Sequence, residues 1–252
     1  MELSFFNKRK TIRQYSTEPI SEKFLNEMIE LASHAPTTGN MQLYSVICTR
    51  EQALKEKLAP AHFNQPMATS APLVLTFCAD FNRFVKWCEI SDAIPGYDNF
   101  QSLLSSILDV TIFAQQFVTI AEMRGIGCCY LGTTTYNPRQ ISEILNIPKR
   151  VIPIITITLG WPDKDNTAEI SDRLPIKGII HQEKYNDYSP EDIRELYNHK
   201  DTLQANDVFI RENGKKTLAQ VFTDVRYTKA NNEFFSKEFI DFAKNQLFDL
   251  PE

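Results

Sequence analysis

Four short runs carry the residue types that could do chemistry. Arg9-Lys10-Thr11-Ile12-Arg13-Gln14-Tyr15 sets three cations and a hydroxyl close together. Guanidinium forks suit phosphate oxygens, and a lysine supplies a point charge. If the run is extended, positions 9, 11 and 13 share a face, and Arg9, Thr11 and Arg13 could hold a phosphate, a polyol and an electron-rich ring in turn. The same spacing also describes a solvated basic segment. Pro36-Thr37-Thr38-Gly39-Asn40-Met41-Gln42 is a polar turn with hydroxyls and two amides. An amide both donates and accepts, which matches the edge of a pyrimidine-like ring, although an ordinary loop has the same make-up. Asp172-Arg173-Leu174-Pro175 adds a guanidinium that matters only if it converges with Arg9 and Lys10. Gly125-Ile126-Gly127 through Tyr130-Leu131-Gly132-Thr133 puts glycine where backbone can approach a flat ligand closely.

Other chemistries lack their signatures. There is no G-x-G-x-x-G after a strand and no G-x-x-x-x-G-K-[ST], and glycine is scarce at 8 residues, so a phosphate would have to be held by side-chain cations. No G-x-S-x-G or triad pattern is present. The histidines at 34, 62, 181 and 199 have no metal-ligand spacing, and no metal site is expected. Five cysteines, odd in number and without C-x-x-C, signal neither a disulfide framework nor a zinc knuckle, and Cys48, Cys78, Cys128 and Cys129, in apolar surroundings, read as free buried thiols. What remains are parts for holding a phosphorylated ring cofactor that performs the reaction itself. With 27 Lys plus Arg against 32 Asp plus Glu, the net charge of −5 argues against nucleic acid as a partner. No run approaches the roughly 18 consecutive apolar residues of a membrane span. The N-terminal residues show no apolar signal region, so a cytoplasmic address is expected.

Alternating elements must position these runs. Ser21 opens a helix in which Leu25, Met28, Ile29 and Ala32 repeat at helical spacing. Leu43–Thr49 reads as a strand, Glu51–Leu58 as a short helix, and Pro72–Ala79 as a strand apolar on both faces and therefore central. Asp109–Arg124 is a helix with a broad apolar face, stopped by Gly125. Cys128–Leu131 and Val151–Leu159 are buried strands flanking a helix begun by Asn137-Pro138. Ser189-Pro190-Glu191-Asp192 begins another helix, and the tail from Ser236 is helical. Connections of uneven length favour an α+β class, with a mixed, largely antiparallel central sheet flanked by helices and a C-terminal extension.

The order of these motifs resembles the FMN-dependent nitroreductase family, in particular its NADPH-linked, larger flavin reductase branch. The matching pieces are Arg9–Tyr15 with Thr17-Glu18-Pro19-Ile20, Ala35–Gln42, Gln65 ahead of Ala71–Asp80, Asp109–Gly127, Tyr130–Thr133, Gly160-Trp161-Pro162 and Arg173-Leu174-Pro175, over roughly residues 5–185. The resemblance implies an α+β sandwich over 1–185 and an extension over 186–252 packing on the same dimer. It further implies a homodimer with FMN at its interface. By motif, Arg9, Lys10 and Thr11 would serve the phosphate and ribityl chain, and Arg13 the N1–C2 carbonyl edge of the ring. Thr37, Thr38, Asn40 and Gln42 would line the ring from the other subunit. Gln65 would add a hydrogen bond, with Asn64 as its alternate. Leu131, Gly132 and Thr133 would offer backbone near N5, and Arg173 would complete the phosphate clamp. Ser171 stands where many relatives carry a lysine, with Asp172 beside it, so that clamp is expected to be weaker or to use another cation.

The activity implied is NAD(P)H oxidation, NADPH favoured over NADH, with electrons passed in a ping-pong cycle to nitroaromatics, quinones or free flavin. Arg13 is the catalytic candidate: a fixed cation at the N1–C2 edge stabilises the charge left by hydride arriving at N5. Two other readings predict different observations. The fold could serve another flavin task, reductive dehalogenation or flavin breakdown, with Lys86–Ser106 as a lid. A non-catalytic binding module using Arg9–Arg13 as a docking patch would purify colourless.

Overall fold

A computed structural model describes residues 3–250. Four strands form one sheet: β1 (Tyr44–Thr49), β2 (Leu73–Asp80), β3 (Gly127–Leu131) and β4 (Val151–Gly160), in the order β1-β2-β4-β3. All three pairings are antiparallel, so among the described residues the expected parallel component is absent from this sheet. Every residue of β2 is buried, as its two-sided apolar sequence requires of a central strand. A register shift at Phe77/Cys78 lets it keep pairing with β4.

The described residues divide into two compact units. The first comprises 3–169 and 235–250. Besides the sheet it holds α1 (Ser4–Asn7), α2 (Glu22–Ala32), α3 (Gln52–Leu58), α4 (Met67–Ser70), α5 (Asn82–Ile90), α6 (Phe100–Met123) and α7 (Pro138–Ile144). Ser21 caps α2 by accepting from Phe24 N (3.2 Å). The second unit, 170–234, contains α8 (Pro190–Thr202), α9 (Gln204–Glu212) and α10 (Leu218–Val221). Ser189 and Asp192 form a reciprocal capping box on α8, with Pro190 at its first position. The last helix, α11 (Lys229–Asn245), begins in the second unit and from Phe235 onward belongs to the first.

The core of the first unit is built on α6. Val110, Phe113, Ala114, Phe117, Val118 and Ala121 are buried with Leu73, Leu75 and Phe77 of β2 and Leu25 and Met28 of α2. Phe113 stacks on Tyr44 at 4.2 Å between ring centroids. α6 begins nine residues before the expected start, capped by Asn99, whose side chain accepts from Ser102 N (3.0 Å). Periodicity hid this first stretch because Phe100, Leu104, Leu108 and Ile112 are exposed on the face away from the core. The helix is therefore apolar on both sides there, and by length and composition alone it could cross a membrane. The stretch considered as a lid is instead divided between α5, a connection and the start of α6. Tyr97 in that connection stacks on Phe81 at 5.2 Å, and Asp98 pairs with Arg150 (2.8 Å). Cys78, Cys128 and Cys129 are buried as expected, and so is Cys88, whereas Cys48 is exposed on the edge strand β1, which corrects its reading as a buried thiol.

Candidate active site

The run Arg9–Arg13 lies against β3. Ile12 N donates to Cys128 O (3.2 Å), Ser16 N to Trp161 O (2.9 Å) and Asp163 N to Gln14 O (3.1 Å), which ties the run to the ends of β3 and β4. Ile12 is buried, and its side chain fills the space above Gly127: a Cβ there would sit 2.5 Å from Ile12 Cβ. Likewise a Cβ on Gly160 would meet Pro72 at 2.7 Å. Gly127 thus admits a chain segment rather than a flat ligand, which corrects the reading of that glycine. The Tyr15 hydroxyl donates to Ile12 O (2.8 Å) and lies 2.8 Å from Thr158 Oγ1, closing the run into a rigid loop.

This anchoring fixes the cations. Arg13 is exposed and contacts the Cys129 thiol; burial raises that thiol's pKa while Arg13 and Arg9 pull it down. Arg9 Nη2 pairs with Glu122 Oε1 at 3.2 Å. Burial pushes the Glu122 carboxyl up, and Arg9 opposes the push. Arg9 is therefore partly neutralised, whereas Lys10 and Arg13 have no carboxylate partner among the described residues. Thr11, between them, is half-buried.

Two more of the expected segments meet the same strand. Ala59, Met67 and Ala68, which flank Gln65 in sequence, pack on Cys129 and Leu131 together with Tyr15. The turn that presents Gln65 is held by Gln65 N donating to His62 O (3.2 Å) and Ala68 N to Gln65 O (2.9 Å), after Phe63 and Asn64 at φ near +52° and +53°. Leu131, the last residue of β3, is buried; beyond it Gly132 is exposed with open space where a Cβ would point, and Thr133 Oγ1 lies 2.9 Å from Nδ1 of the buried His62. Arg9 to Arg13, Gln65 and Leu131 to Thr133 are thus gathered at one edge of the sheet.

Thr37 to Gln42 is elsewhere. The turn leads into β1, and β1 and β3 are the two edges of the sheet, three strand spacings or about 14 Å apart. Its anchor is Asp109, buried on α6 and not anticipated from the sequence. Asp109 Oδ1 accepts from Thr38 N (2.8 Å) and Thr38 Oγ1 (2.8 Å), and Oδ2 from Thr37 Oγ1 and from Leu43 N (3.3 Å). Arg83 donates to the carbonyls of Gln42 and Tyr44. The Thr37 and Thr38 hydroxyls therefore shape the turn rather than point free toward a ring. Asn40 and Gln42 remain exposed, both at positive φ (57° and 55°), a conformation that persists in non-glycine residues only where surroundings enforce it. A carboxylate on the apolar face of α6, in register with Phe113 and Val110, is the signal that would have revealed Asp109.

Arg173 lies in the second unit, where its Nη1 donates to the carbonyls of Ser171 (3.1 Å) and Asp172 (2.8 Å). Lys200 pairs with Asp172 at 2.8 Å and holds its carboxyl below the usual range. The acidic neighbour left by the missing lysine is thereby neutralised by a cation from α8.

A four-stranded antiparallel sheet flanked by helices thus carries along its β3 edge the cations Lys10 and Arg13, the turn that presents Gln65 and the open backbone at Gly132. The sequence pattern of the Nitroreductase family matches residues 7–161. The chain is 31% identical over 228 residues to the oxygen-insensitive NADPH nitroreductase of Salmonella typhimurium, covering 89% of this chain and 90% of that one. It is 30% identical over 210 residues to the FMN reductase [NAD(P)H] of Bacillus subtilis, covering 82% and 83%. A crystal structure from Bacteroides fragilis superposes with a TM-score of 0.95 at 51% identity over 98% of this chain and 99% of that one. The chain belongs to the Nitroreductase family, and it is an NAD(P)H-dependent flavin oxidoreductase.

Proposed function

We propose that the protein holds FMN at the interface of a homodimer, oxidises NADPH, and reduces nitroaromatics, quinones or free flavin in a ping-pong cycle. The observation that carries this reading is the separation of the two halves of the expected site. The cations, Gln65 and Thr133 lie at the β3 edge, and the Thr37–Gln42 turn lies at the β1 edge. One protomer does not assemble both, whereas a second copy can supply the missing half. The exposed apolar row Phe100, Leu104, Leu108 and Ile112 on α6 is the surface such a copy would cover, since contiguous apolar patches mark association faces.

The residues present fit the cofactor. Lys10 and Arg13, fixed and uncompensated, suit an anionic phosphate and an electron-rich ring edge, and the open space at Gly132 lets backbone approach a planar group. When bound, FMN supplies the hydride-accepting ring. Arg13 holds a positive charge where negative charge develops, and Tyr15 and Gly127 keep that charge in place by locking its segment on β3. No side chain is required as a general acid or base. NADPH preference over NADH is supported by the names of relatives, the oxygen-insensitive NADPH nitroreductase of Salmonella typhimurium and the NADPH-dependent oxidoreductase of Staphylococcus saprophyticus.

Purified protein should be yellow and oxidise NADPH faster than NADH with nitrofuran or quinone acceptors. Arg13→Ala should slow the reduction of bound FMN by NADPH more than it weakens FMN binding; stopped-flow at saturating FMN measures this, and an unchanged rate rejects the role. A colourless protein that binds no FMN by fluorescence titration rejects the whole reading.

A further inference from the structure

A side-chain pair that neither packing nor the family motifs explain joins the turn before Gln65 to the loop after β3. His62 is 1% exposed, and its Nδ1 lies 2.9 Å from Thr133 Oγ1. Its Nε2 is buried without a hydrogen-bond partner among the described residues. Burial lowers its pKa to about 4, so the ring is neutral at neutral pH. A neutral imidazole has one N–H and one bare nitrogen. Were Nδ1 the acceptor, Nε2 would carry a buried N–H with nothing to bond, the rarer and costlier kind of orphan. The favoured tautomer therefore places the proton on Nδ1, which donates to Thr133 Oγ1, and leaves the bare lone pair at Nε2. In that arrangement the Thr133 hydroxyl accepts from His62 and has its own hydrogen free to donate. Thr133 has no other side-chain hydrogen bond among the described residues. An apolar residue would fill the His62 site without stranding a nitrogen, so the imidazole's distinct contribution is the bond to Thr133.

We propose that His62 is a positioning residue for the flavin site: its Nδ1–H orients and polarises the Thr133 hydroxyl so that the hydroxyl donates to the ring carbonyl oxygen that adjoins N5 on the bound ring. This rests on the reading that places FMN beside Leu131–Thr133. That oxygen stays an acceptor and gains electron density on reduction, so a donor to it favours the reduced ring, and one such hydrogen bond is worth about 1 kcal/mol, about fivefold in the rate of hydride acceptance.

The test uses FMN-loaded protein and compares His62→Phe, His62→Gln, Thr133→Val and the double variant His62→Phe/Thr133→Val. The readouts are the midpoint potential and visible spectrum of bound FMN, with the stopped-flow rate of reduction by NADPH. His62→Phe and Thr133→Val should each lower the potential and slow reduction about fivefold, with the double variant no worse than either single. His62→Gln, which keeps an N–H donor, should lie close to wild type, and it carries the test if the phenyl ring prevents folding. Wild-type potential in His62→Phe while Thr133→Val is shifted, full additivity in the double, or a His62→Gln shift as large as that of Thr133→Val would overturn the proposal. A Thr133→Val protein that binds FMN with unmoved potential and spectrum would instead show that FMN does not lie beside Thr133, and the site reading itself would fail.

Discussion

Removing the Asp109 carboxylate should unfasten one half of the site and cost more than most single substitutions. In Asp109→Ala four donors lose their acceptor: Thr37 Oγ1, Thr38 N, Thr38 Oγ1 and Leu43 N. The two hydroxyls can rotate toward other acceptors. The two backbone N–H groups cannot, and Leu43 is fully buried, so its N–H has no route to water. Bonds to a charged group contribute roughly 1.5–3 kcal/mol each, so the two backbone losses alone come to about 3–6 kcal/mol. Gln42 N still donates to Thr37 Oγ1 (2.9 Å), so the turn should loosen rather than vanish. Asp109→Asn should fall between, because its amide oxygen can accept from two donors while its NH2 group faces the others. Urea denaturation at fixed protein concentration measures the loss, and amide hydrogen exchange at Leu43 localises it. FMN binding should weaken in both variants, since Asn40 and Gln42 depend on the turn for their positive φ. An Asp109→Ala protein within about 1 kcal/mol of wild type would refute the view that this carboxylate builds the turn.

Three further outcomes follow from the geometry. His62 titrates near 4 in the folded protein against 6.5 unfolded, so its neutral form contributes stability in full above about pH 6.5 that is lost as pH falls toward 4; by about pH 5 the loss is roughly 2 kcal/mol. His62→Gln should lack this slope, and parallel urea-stability profiles for wild type and variant between about pH 7 and 5 would contradict it. Gly127→Ala should destabilise the fold by about 1–3 kcal/mol through overpacking and raise the FMN dissociation constant, because the new Cβ collides with Ile12 and displaces the Arg9–Arg13 segment. A Gly127→Ala protein with unchanged FMN affinity would uncouple that packing from the site. Leu108→Glu with Ile112→Glu should yield monomers in sedimentation velocity and lose bound FMN; a dimer that persists would move the interface away from α6.

The legible part of this protein is what short-range chemistry dictates. Ser21 as a cap, the two-sided burial of β2, the stop at Gly125 and the capping box at Ser189 each follow from a few adjacent residues. The cation run at Arg9–Arg13 was likewise visible, because clustered charge is a local property. Its partner Glu122 was not, since a pair separated by more than a hundred positions leaves no periodic trace. The start of α6 was concealed by apolar residues on the face turned away from the core, where an association surface and a second core-facing stripe look alike in sequence.

Composition and motif order by themselves determined the kind of chemistry: cations and amides without glycine loops or nucleophile triads, suited to a cofactor that reacts for itself. Only the tertiary structure decided which of those groups are available. Asp109 engages the Thr37 and Thr38 hydroxyls, Glu122 offsets Arg9, Ile12 occupies the space at Gly127, and the Arg9–Arg13 run and the Thr37–Gln42 turn stand on opposite edges of one sheet. The reason is physical: residue type sets what a side chain can donate, accept or carry, whereas long-range packing sets whether its partner is a ligand or the protein itself.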